Sequence, residues 1–570
     1  MTRDKLFPYR LVIVFILLTM NLIQGTEIKL RSLAKQAFET VYDFYPVSAT
    51  YVGFHQYDNR LAHYSTESVT NFVNKLQTIL TEVEKINPAI LSTDEQIDRE
   101  LLISNLKMVI FQLKKLNHWQ KNPTLYVDEC IQGIYLLLLR DFARLSEPAQ
   151  NVIKRLAQVP RVLSEARQNI INPCRTFTIT AIEELKTGEK FIDQSAKELS
   201  RKFPELNKDL MTRLRQAIKA MGDYRKELLK ILPELDDNFA VGKENFDYML
   251  RTDLFLSFDS DSLLRFGENV FAQTDARINA LINQKQKYEM THPRPGEPAL
   301  FPPKEFSKKD IIAYEEQEID SMRVWVASRE VATVPDYIGK ITVVETPPFL
   351  RGILPGLALR PAGPLDSVQT SYLYIRPIPD LIDFETRQYY YHAVKYRRWK
   401  SGIVHEAYPG HHFQLSIANH HPSLIRKLQG NTLMIEGWAL YCEQMVVDNG
   451  LYPDDLFKEL RWLGGVRFRA ARIILDVMLQ TGKMNFDDAV KFMLDRFGPD
   501  TAYYQAEVLR YCLSPTQPLS YLVGKTQIME LRDEYRKKMG DQYSLKDFHD
   551  KLLAEGSIPI SLIQKKLLNQ

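Results

Sequence analysis

The chain has 570 residues, of which 45% are hydrophobic and 25% are charged, a composition typical of a folded soluble protein. Its 74 basic and 71 acidic residues give a formal net charge of +3. This balance argues against a nucleic-acid binder, whose basic residues would dominate one face or one domain.

The N-terminus predicts a secretory signal peptide over residues 1–25. Arg3, Lys5 and Arg10 precede the apolar run LVIVFILLTMNLI, and the small residue Gly25 follows it. The run is shorter than the roughly 20 residues that a transmembrane helix needs. We therefore expect a protein secreted or held in a secretory or periplasm-like lumen, with an uncleaved signal anchor as the alternative. No later stretch predicts a membrane span.

The chain contains four cysteines and no CxxC spacing, which argues against a cysteine zinc site. An oxidising compartment would allow two disulfides. The pairs that we expect are Cys130–Cys174 and Cys442–Cys512.

Residues 26–290 predict a helical N-terminal half. The segment DEQIDRELLISNLKMVIFQLKKL repeats apolar residues at three- and four-residue spacing, with Thr93 or Asp94 as its N-cap. The Pro-rich stretch THPRPGEPALFPPKEF then separates a predicted helix over 260–288 from another over 308–330.

Residues 291–570 predict a second half that carries the chemistry. Between 341 and 379 the segments ITVVETPPF and SYLYIRPI are rich in β-branched and aromatic residues, which predicts a small β-sheet. Helices resume after Thr386, and those that would bind zinc fall within 386–525. The sequence therefore predicts a mainly α fold with a small sheet beside a metal helix, where an edge strand could bind an extended peptide.

The stretch GIVHEAYPGHHFQ resembles an interrupted HExxH motif. In that motif two histidines one helical turn apart bind zinc, and the glutamate acts as general base on the zinc-bound water. Here Pro409 stands where the second histidine belongs, and removing Pro409-Gly410 restores HExxH. We therefore predict that these two residues form a bulge within the helix, that His405 is the first ligand and that Glu406 is the base.

The second ligand has two candidates, His411 and His412, of which His411 fits the restored motif. His412 is then expected behind the ligands or on the substrate. Downstream, the apolar helix MIEGWALYCEQM carries two acidic residues, which are costly to bury without a partner. We predict Glu436 as the third ligand and Glu443 as a carboxylate that holds a ligand histidine.

The segments HEAYPGHHFQ and EGWALYCE resemble the family known as domain of unknown function 885, whose patterns are HExxPGHH and EGWALYxE. Further similarity lies at 468–490 and 507–525, and the resemblance covers roughly the whole mature chain. It implies a distant relationship to the all-helical, gluzincin-type zinc metallopeptidases, which cleave peptides in a deep cleft between two helical halves.

The resemblance supports one zinc ion bound by His405, His411 and Glu436, with Glu406 as base, and it leaves both adjacent histidines open. Many family members have a histidine where this chain has Gln480, so a catalytic role at that position is not expected here.

The segment EVLRYCLSPTQPLSYLVGK offers donors for an oxyanion, namely Tyr511, Tyr521 and, just before it, Tyr504. Arg510 could bind a substrate carboxylate in a bidentate contact. Of these candidates we favour Tyr521 and Arg510.

Three functions are consistent with these residues. The first is a secreted or lumenal zinc metallopeptidase acting on oligopeptides. The second is a zinc hydrolase of another amide or ester, and the third is a metal-free, non-enzymatic helical binding protein. The set His405, Glu406, His411 and Glu436 favours an enzyme.

Overall fold

The computed structural model of the chain describes residues 27–139, 146–291, 301–351, 354, 356–381, 383–396, 400–452 and 457–569. The predicted signal peptide lies outside the described residues, and so does much of the Pro-rich stretch. In the part of the chain that is described, no helix is both long and apolar enough to cross a membrane.

The segment before the sheet is helical. Its helices are α1 (27–44), α2 (Pro46–Val52), α3 (Thr66–Glu84), α4 (Thr93–Phe111), α5 (His118–Lys121), α6 (Thr124–Leu138), α7 (Ser146–Asn169), α8 (Arg175–Lys202), α9 (Asn207–Ile231), α10 (Lys243–Thr252), α11 (Ser260–Thr291) and α12 (Lys308–Ser328). Helices α6 to α9 pack against one another. The bounds of α11 and α12 agree closely with the prediction.

A three-stranded sheet follows, with strands β1 (Ile341–Glu345), β2 (Ala358–Arg360) and β3 (Ser371–Ile375). β3 is central; it pairs in parallel with β1 and antiparallel with β2. Both predicted strands are confirmed, whereas β2 was not predicted because three residues carry too little alternation to be recognised.

Helices complete the chain after the sheet. They are α13 (Phe384–Tyr396), α14 (Ser401–Glu406), α15 (His411–Ala418), α16 (Leu424–Leu428), α17 (Thr432–Asp448), α18 (Leu460–Gln480), α19 (Phe486–Phe497), α20 (Thr501–Leu513), α21 (Gln517–Met539), α22 (Leu545–Ala554) and α23 (Ile560–Asn569). The predicted mainly α fold with a small sheet is confirmed.

The start of α4 shows how local chemistry sets a helix boundary. The predicted N-cap, Thr93 or Asp94, is wrong: Ser92 caps the helix, and its hydroxyl accepts a hydrogen bond from the amide of Glu95. The Glu95 carboxylate in turn accepts from the amide of Ser92 at 2.8 Å. This reciprocal capping box satisfies two amides that the first turn leaves unpaired.

Two hydrophobic clusters form most of the core. The larger cluster contains residues from almost the whole described chain, from Leu30 to Leu567, and includes Cys130 and Cys442. The smaller cluster lies around α18, α19 and α20 and includes Cys174 and Cys512. The predicted disulfides are wrong: all four cysteines are buried free thiols. Each predicted pair would join a residue of one cluster to a residue of the other, which explains why neither forms.

Candidate metal centre

The chain leaves the helix between the two predicted ligand histidines. Helix α14 ends at Glu406 and α15 begins at His411, with a cis peptide bond before Pro409. The predicted bulge within one helix is therefore wrong: the helix breaks and restarts. Proline lacks the amide hydrogen that would continue the helix. Gly410 packs tightly here, since a Cβ at this position would lie 1.9 Å from the carbonyl oxygen of His405.

Helix α17 holds this turn in place. The indole Nε1 of Trp438 donates a 2.7 Å hydrogen bond to the carbonyl oxygen of Pro409. The thiol of Cys442, one turn further along α17, points at the same oxygen at 3.7 Å. The turn and α17, which carries Glu436, are thus fixed relative to each other.

Three side chains converge at this point. Oε2 of Glu436 lies 3.1 Å from Nε2 of His411 and 3.6 Å from Nε2 of His405. The three ligand atoms lie within 4.8 Å of one another, and His405 and His411 are buried. Among the described residues, no hydrogen bond reaches Oε2 of Glu436. A buried carboxylate oxygen between two imidazole nitrogens is an arrangement that a cation would satisfy.

Helix packing places Glu436 at this position. The side chain of Asn431 accepts a hydrogen bond from the amide of Leu433 and so caps the start of α17. One residue after Glu436, Gly437 contacts the backbone of Gly524 on α21. A Cβ at Gly524 would lie 1.9 Å from the carbonyl oxygen of Leu433, so the two helices cross with backbone nearly touching backbone.

A second carboxylate supports His405. Oε1 of Glu443 lies 2.9 Å from Nδ1 of His405, and Arg469 approaches the same oxygen at 3.5 Å. This contact fixes the imidazole so that Nε2 faces Glu436. Burial lowers the pKa of His405, but the carboxylates of Glu436 and Glu443 outweigh burial and raise that pKa to about 9. In the structure Glu443 thus contacts His405, one of the predicted ligands.

Glu406 lies beside the cluster and contacts the sheet. Its Oε2 accepts a 2.8 Å hydrogen bond from the amide of Leu359 on β2. Burial raises the pKa of Glu406 above its ordinary value, against the opposing effect of His405 and His411. A carboxyl group with a raised pKa is suited to accept and return a proton.

His412 points away from the cluster. Its Nδ1 lies 2.9 Å from the hydroxyl of Ser371 on β3, and its Nε2 lies 3.0 Å from the carbonyl oxygen of Gly339. Burial lowers the pKa of His412 to about 4, so the ring is neutral at pH 7. Of the two candidate histidines, His411 is the one that the structure places with His405 and Glu436.

Tyr521 lies next to the three converging side chains, whereas Arg510 makes its contacts with Gln517 and Glu507. The ring of Tyr521 stacks 6.0 Å from the ring of His405. Arg510 donates to Gln517 at 2.5 Å and to Glu507 at 3.1 Å. Gln517 was not predicted, although it lies four residues before Tyr521 in the segment EVLRYCLSPTQPLSYLVGK.

The other predicted tyrosines lie in the smaller hydrophobic cluster, not with the three converging side chains. The hydroxyl of Tyr511 donates to Glu507 at 2.6 Å, and Tyr504 packs among the apolar residues of that cluster. Gln480 is fully buried and donates to the backbone carbonyl oxygens of Tyr511 and Cys512. These contacts give Gln480 a packing role.

A cleft of about 1320 Å³ borders helix α20, which also carries Glu507 and Tyr511. Its walls include Glu184 on α8, Arg376 after β3 and Tyr503 on α20. Tyr503 shares α20 with Glu507 and Arg510, although the three converging side chains do not line the cleft. Helix α20 thus contributes Tyr503 to the cleft wall and Arg510 to the contacts of Gln517.

The converging residues fit a zinc ion. Two imidazole nitrogens and a carboxylate oxygen form a common zinc donor set. Ligands at about 2.0–2.1 Å in a tetrahedral arrangement place their donor atoms about 3.3 Å apart. The two distances to Oε2 of Glu436, 3.1 and 3.6 Å, lie on either side of that value, and all three donor atoms lie within 4.8 Å of one another.

Fold and site together define a mainly helical protein with a buried two-histidine, one-glutamate cluster. The chain belongs to the family described as "Bacterial protein of unknown function (DUF885)", which matches residues 46–567. The predicted family is thereby confirmed, whereas the relationship to zinc peptidases remains a prediction.

Two solved structures share the fold. One, described as "a putative lipoprotein of unknown function" from Shewanella oneidensis, is 22% identical, with 94% of this chain and 99% of that chain covered and a TM-score of 0.74. The other, described as "the putative lipoprotein from Colwellia psychrerythraea", is 18% identical, with 95% and 99% covered and a TM-score of 0.78. No curated protein matches the chain significantly.

Proposed function

We propose that the chain is an exported zinc-dependent hydrolase that cleaves peptide bonds of oligopeptides. The observation that carries this proposal is the convergence of His405, His411 and Glu436, with a buried carboxylate oxygen that lacks a hydrogen bond from any described residue. Glu406 beside them supplies the acid–base group that hydrolysis requires.

The residues would divide the reaction as follows. His405, His411 and Glu436 would hold the zinc ion, whose Lewis acidity would polarise a carbonyl group and acidify a water molecule. The carboxylate of Glu406, oriented by the amide of Leu359, would take the proton of the attacking water and return it to the leaving nitrogen. The hydroxyl of Tyr521 would donate to the oxyanion of the tetrahedral intermediate.

One feature favours oligopeptides as substrates. β2, which contacts Glu406, lies at an edge of the sheet, where an extended peptide could add as a further strand. Another amide or ester substrate is the alternative that the same site would allow.

Export is part of the proposal. The predicted signal peptide over residues 1–25 supports it, and so do the two structurally similar chains described as putative lipoproteins. The alternative within this proposal is that the protein is exported but stays anchored to the membrane.

The proposal is tested with protein purified without chelators. We expect one zinc ion per chain, and we expect Glu406→Gln to retain zinc while losing about 10²–10⁴ in kcat/KM on a mixed peptide library. The matched control is Glu39→Gln, which changes an exposed glutamate on α1 and should leave turnover unchanged. Hydrolysis of esters or other amides without peptide cleavage would favour the alternative substrates. Zinc-free protein would contradict the proposal.

A further inference from the structure

We propose that Gln517 is a positioning residue that orients both Glu436 and Tyr521 through one amide group, and that Arg510 fixes the direction of that amide. This inference rests on the proposed function, because the groups that it positions are the third zinc ligand and the oxyanion donor.

The contacts of Gln517 carry the inference. Gln517 is the first residue of α21 and lies 81 residues after Glu436. Its Nε2 donates to Oε1 of Glu436 at 3.0 Å and to the hydroxyl oxygen of Tyr521 at 3.1 Å. Its Oε1 accepts from Nη1 of Arg510 at 2.5 Å. All three contacts use the one side-chain amide.

Chemistry fixes which way this amide points. A guanidinium can only donate hydrogen bonds, and an ionised carboxylate can only accept them. The amide of Gln517 must therefore turn its oxygen towards Arg510 and its NH₂ group towards Glu436. The reverse orientation would place oxygen against carboxylate and NH₂ against guanidinium. Arg510 thus selects one of two otherwise similar orientations.

This orientation has a consequence for Glu436. Its Oε1 is occupied by the amide of Gln517, while Oε2 faces the nitrogens of His405 and His411. The carboxylate is therefore held with one oxygen directed at the metal position. Groups that hold a ligand in this way affect metal affinity by about 10–100-fold.

The same orientation has a consequence for Tyr521. Because the amide donates to the phenolic oxygen, the hydroxyl hydrogen of Tyr521 is not used in this contact. That hydrogen can be donated to an oxyanion formed beside His405, whose ring is stacked 6.0 Å from that of Tyr521. One side chain therefore sets both groups.

The buried carboxylate of Glu507 holds Arg510 in position. Oε2 of Glu507 accepts from Arg510 at 3.1 Å, from Arg472 at 2.7 Å and from the hydroxyl of Tyr511 at 2.6 Å. Nη1 and Nη2 of Arg510 are thus both engaged, by Gln517 and by Glu507. This arrangement assigns Arg510 to positioning the amide instead of the predicted contact with a substrate carboxylate.

The first test measures zinc affinity by competition with a chelator. Gln517→Met removes the donors, and Gln517→Glu places a carboxylate against Glu436, so both should bind zinc about 10–100-fold more weakly than wild type. Gln158→Met is the matched control, because Gln158 also accepts one hydrogen bond and donates others but lies on α7 in the N-terminal half. It should leave zinc affinity unchanged.

The second test measures kcat at saturating zinc in a double-mutant cycle. Gln517→Met should lower kcat in protein with Tyr521 and have a much smaller effect in the Tyr521→Phe background, because both changes remove the same oriented donor. Independent, multiplicative effects would overturn the positioning of Tyr521.

The outcomes separate this inference from the proposed function. Wild-type zinc binding with unchanged affinity in both Gln517 variants would overturn the inference alone. Absence of zinc binding by the wild type would overturn the proposed function together with the inference. Weaker binding in both variants, with an unchanged Gln158→Met control, is the result that we expect.

Discussion

Replacing Glu443 tests how strongly the buried carboxylate behind His405 supports zinc binding. Its Oε1 lies 2.9 Å from Nδ1 of His405, and both side chains are more than nine-tenths buried. Loss of such a partner costs about 10–100-fold in metal affinity, which corresponds to about 1.4–2.7 kcal/mol. Glu443→Ala should lie at the upper end, because it leaves neither Nδ1 of His405 nor Arg469, at 3.5 Å, an oxygen to donate to.

Glu443→Gln should lie at the lower end, near tenfold, because its amide oxygen can still accept from His405. The assay is competition for zinc with a chelator of known affinity. Gln444→Ala is the matched control, since Gln444 is the next residue of α17 and donates to Asp448 instead. Affinities of the alanine, glutamine and wild-type proteins that agree within twofold would refute the reasoning.

Three further predictions concern stability. Gly410→Ala should cost at least about 2–3 kcal/mol in the free energy of unfolding, because the new Cβ would lie 1.9 Å from a carbonyl oxygen; an unchanged urea midpoint would contradict this. Arg426→Met should cost about 1–3 kcal/mol by urea unfolding, because it removes the buried guanidinium that pairs with Asp94, Asp98 and Glu555. The cost is limited because Asp94 is exposed and because Lys566 still pairs with Asp94 and Glu555. An unchanged free energy of unfolding would contradict this prediction. Burial lowers the pKa of His549 to about 4, below its ordinary 6.5. The stability linked to this neutral ring is therefore complete above pH 6.5 and falls by roughly 3 kcal/mol as the pH drops towards 4. His549→Gln should flatten the pH profile of unfolding in that range, and an unaltered slope would contradict the assignment.

Local sequence patterns predicted much of the fold. The helical periodicity and the β-branched segments on either side of 341–379 were sufficient to predict a mainly α chain with a small sheet. β2 was not predicted, because its three residues become a strand only by pairing with β3, and local sequence patterns do not show this tertiary contact. The cysteine pairing failed because cluster membership depends on helix packing that spacing does not encode.

The residues of the site were predicted to different extents. The HExxH pattern that appears when Pro409-Gly410 is left out was sufficient to predict His405 and His411. Glu436 reaches them through the packing of α17 against the turn at Pro409 and against α21. The path of the chain between the two histidines could not be predicted, because the same sequence is compatible with a bulge in one continuous helix and with a break between two helices. Gln517 was missed because its contact with Glu436 spans 81 residues, and no spacing rule covers such a contact.

The identity of the ligand histidine gives the most direct test of the zinc site. Zinc per chain is measured by elemental analysis in wild type, His411→Gln and His412→Gln, each purified without chelators. We predict one zinc ion in wild type and in His412→Gln, and loss of zinc in His411→Gln. Zinc retained in His411→Gln but lost in His412→Gln, or a zinc-free wild type, would contradict the assignment of His405, His411 and Glu436 as the metal site.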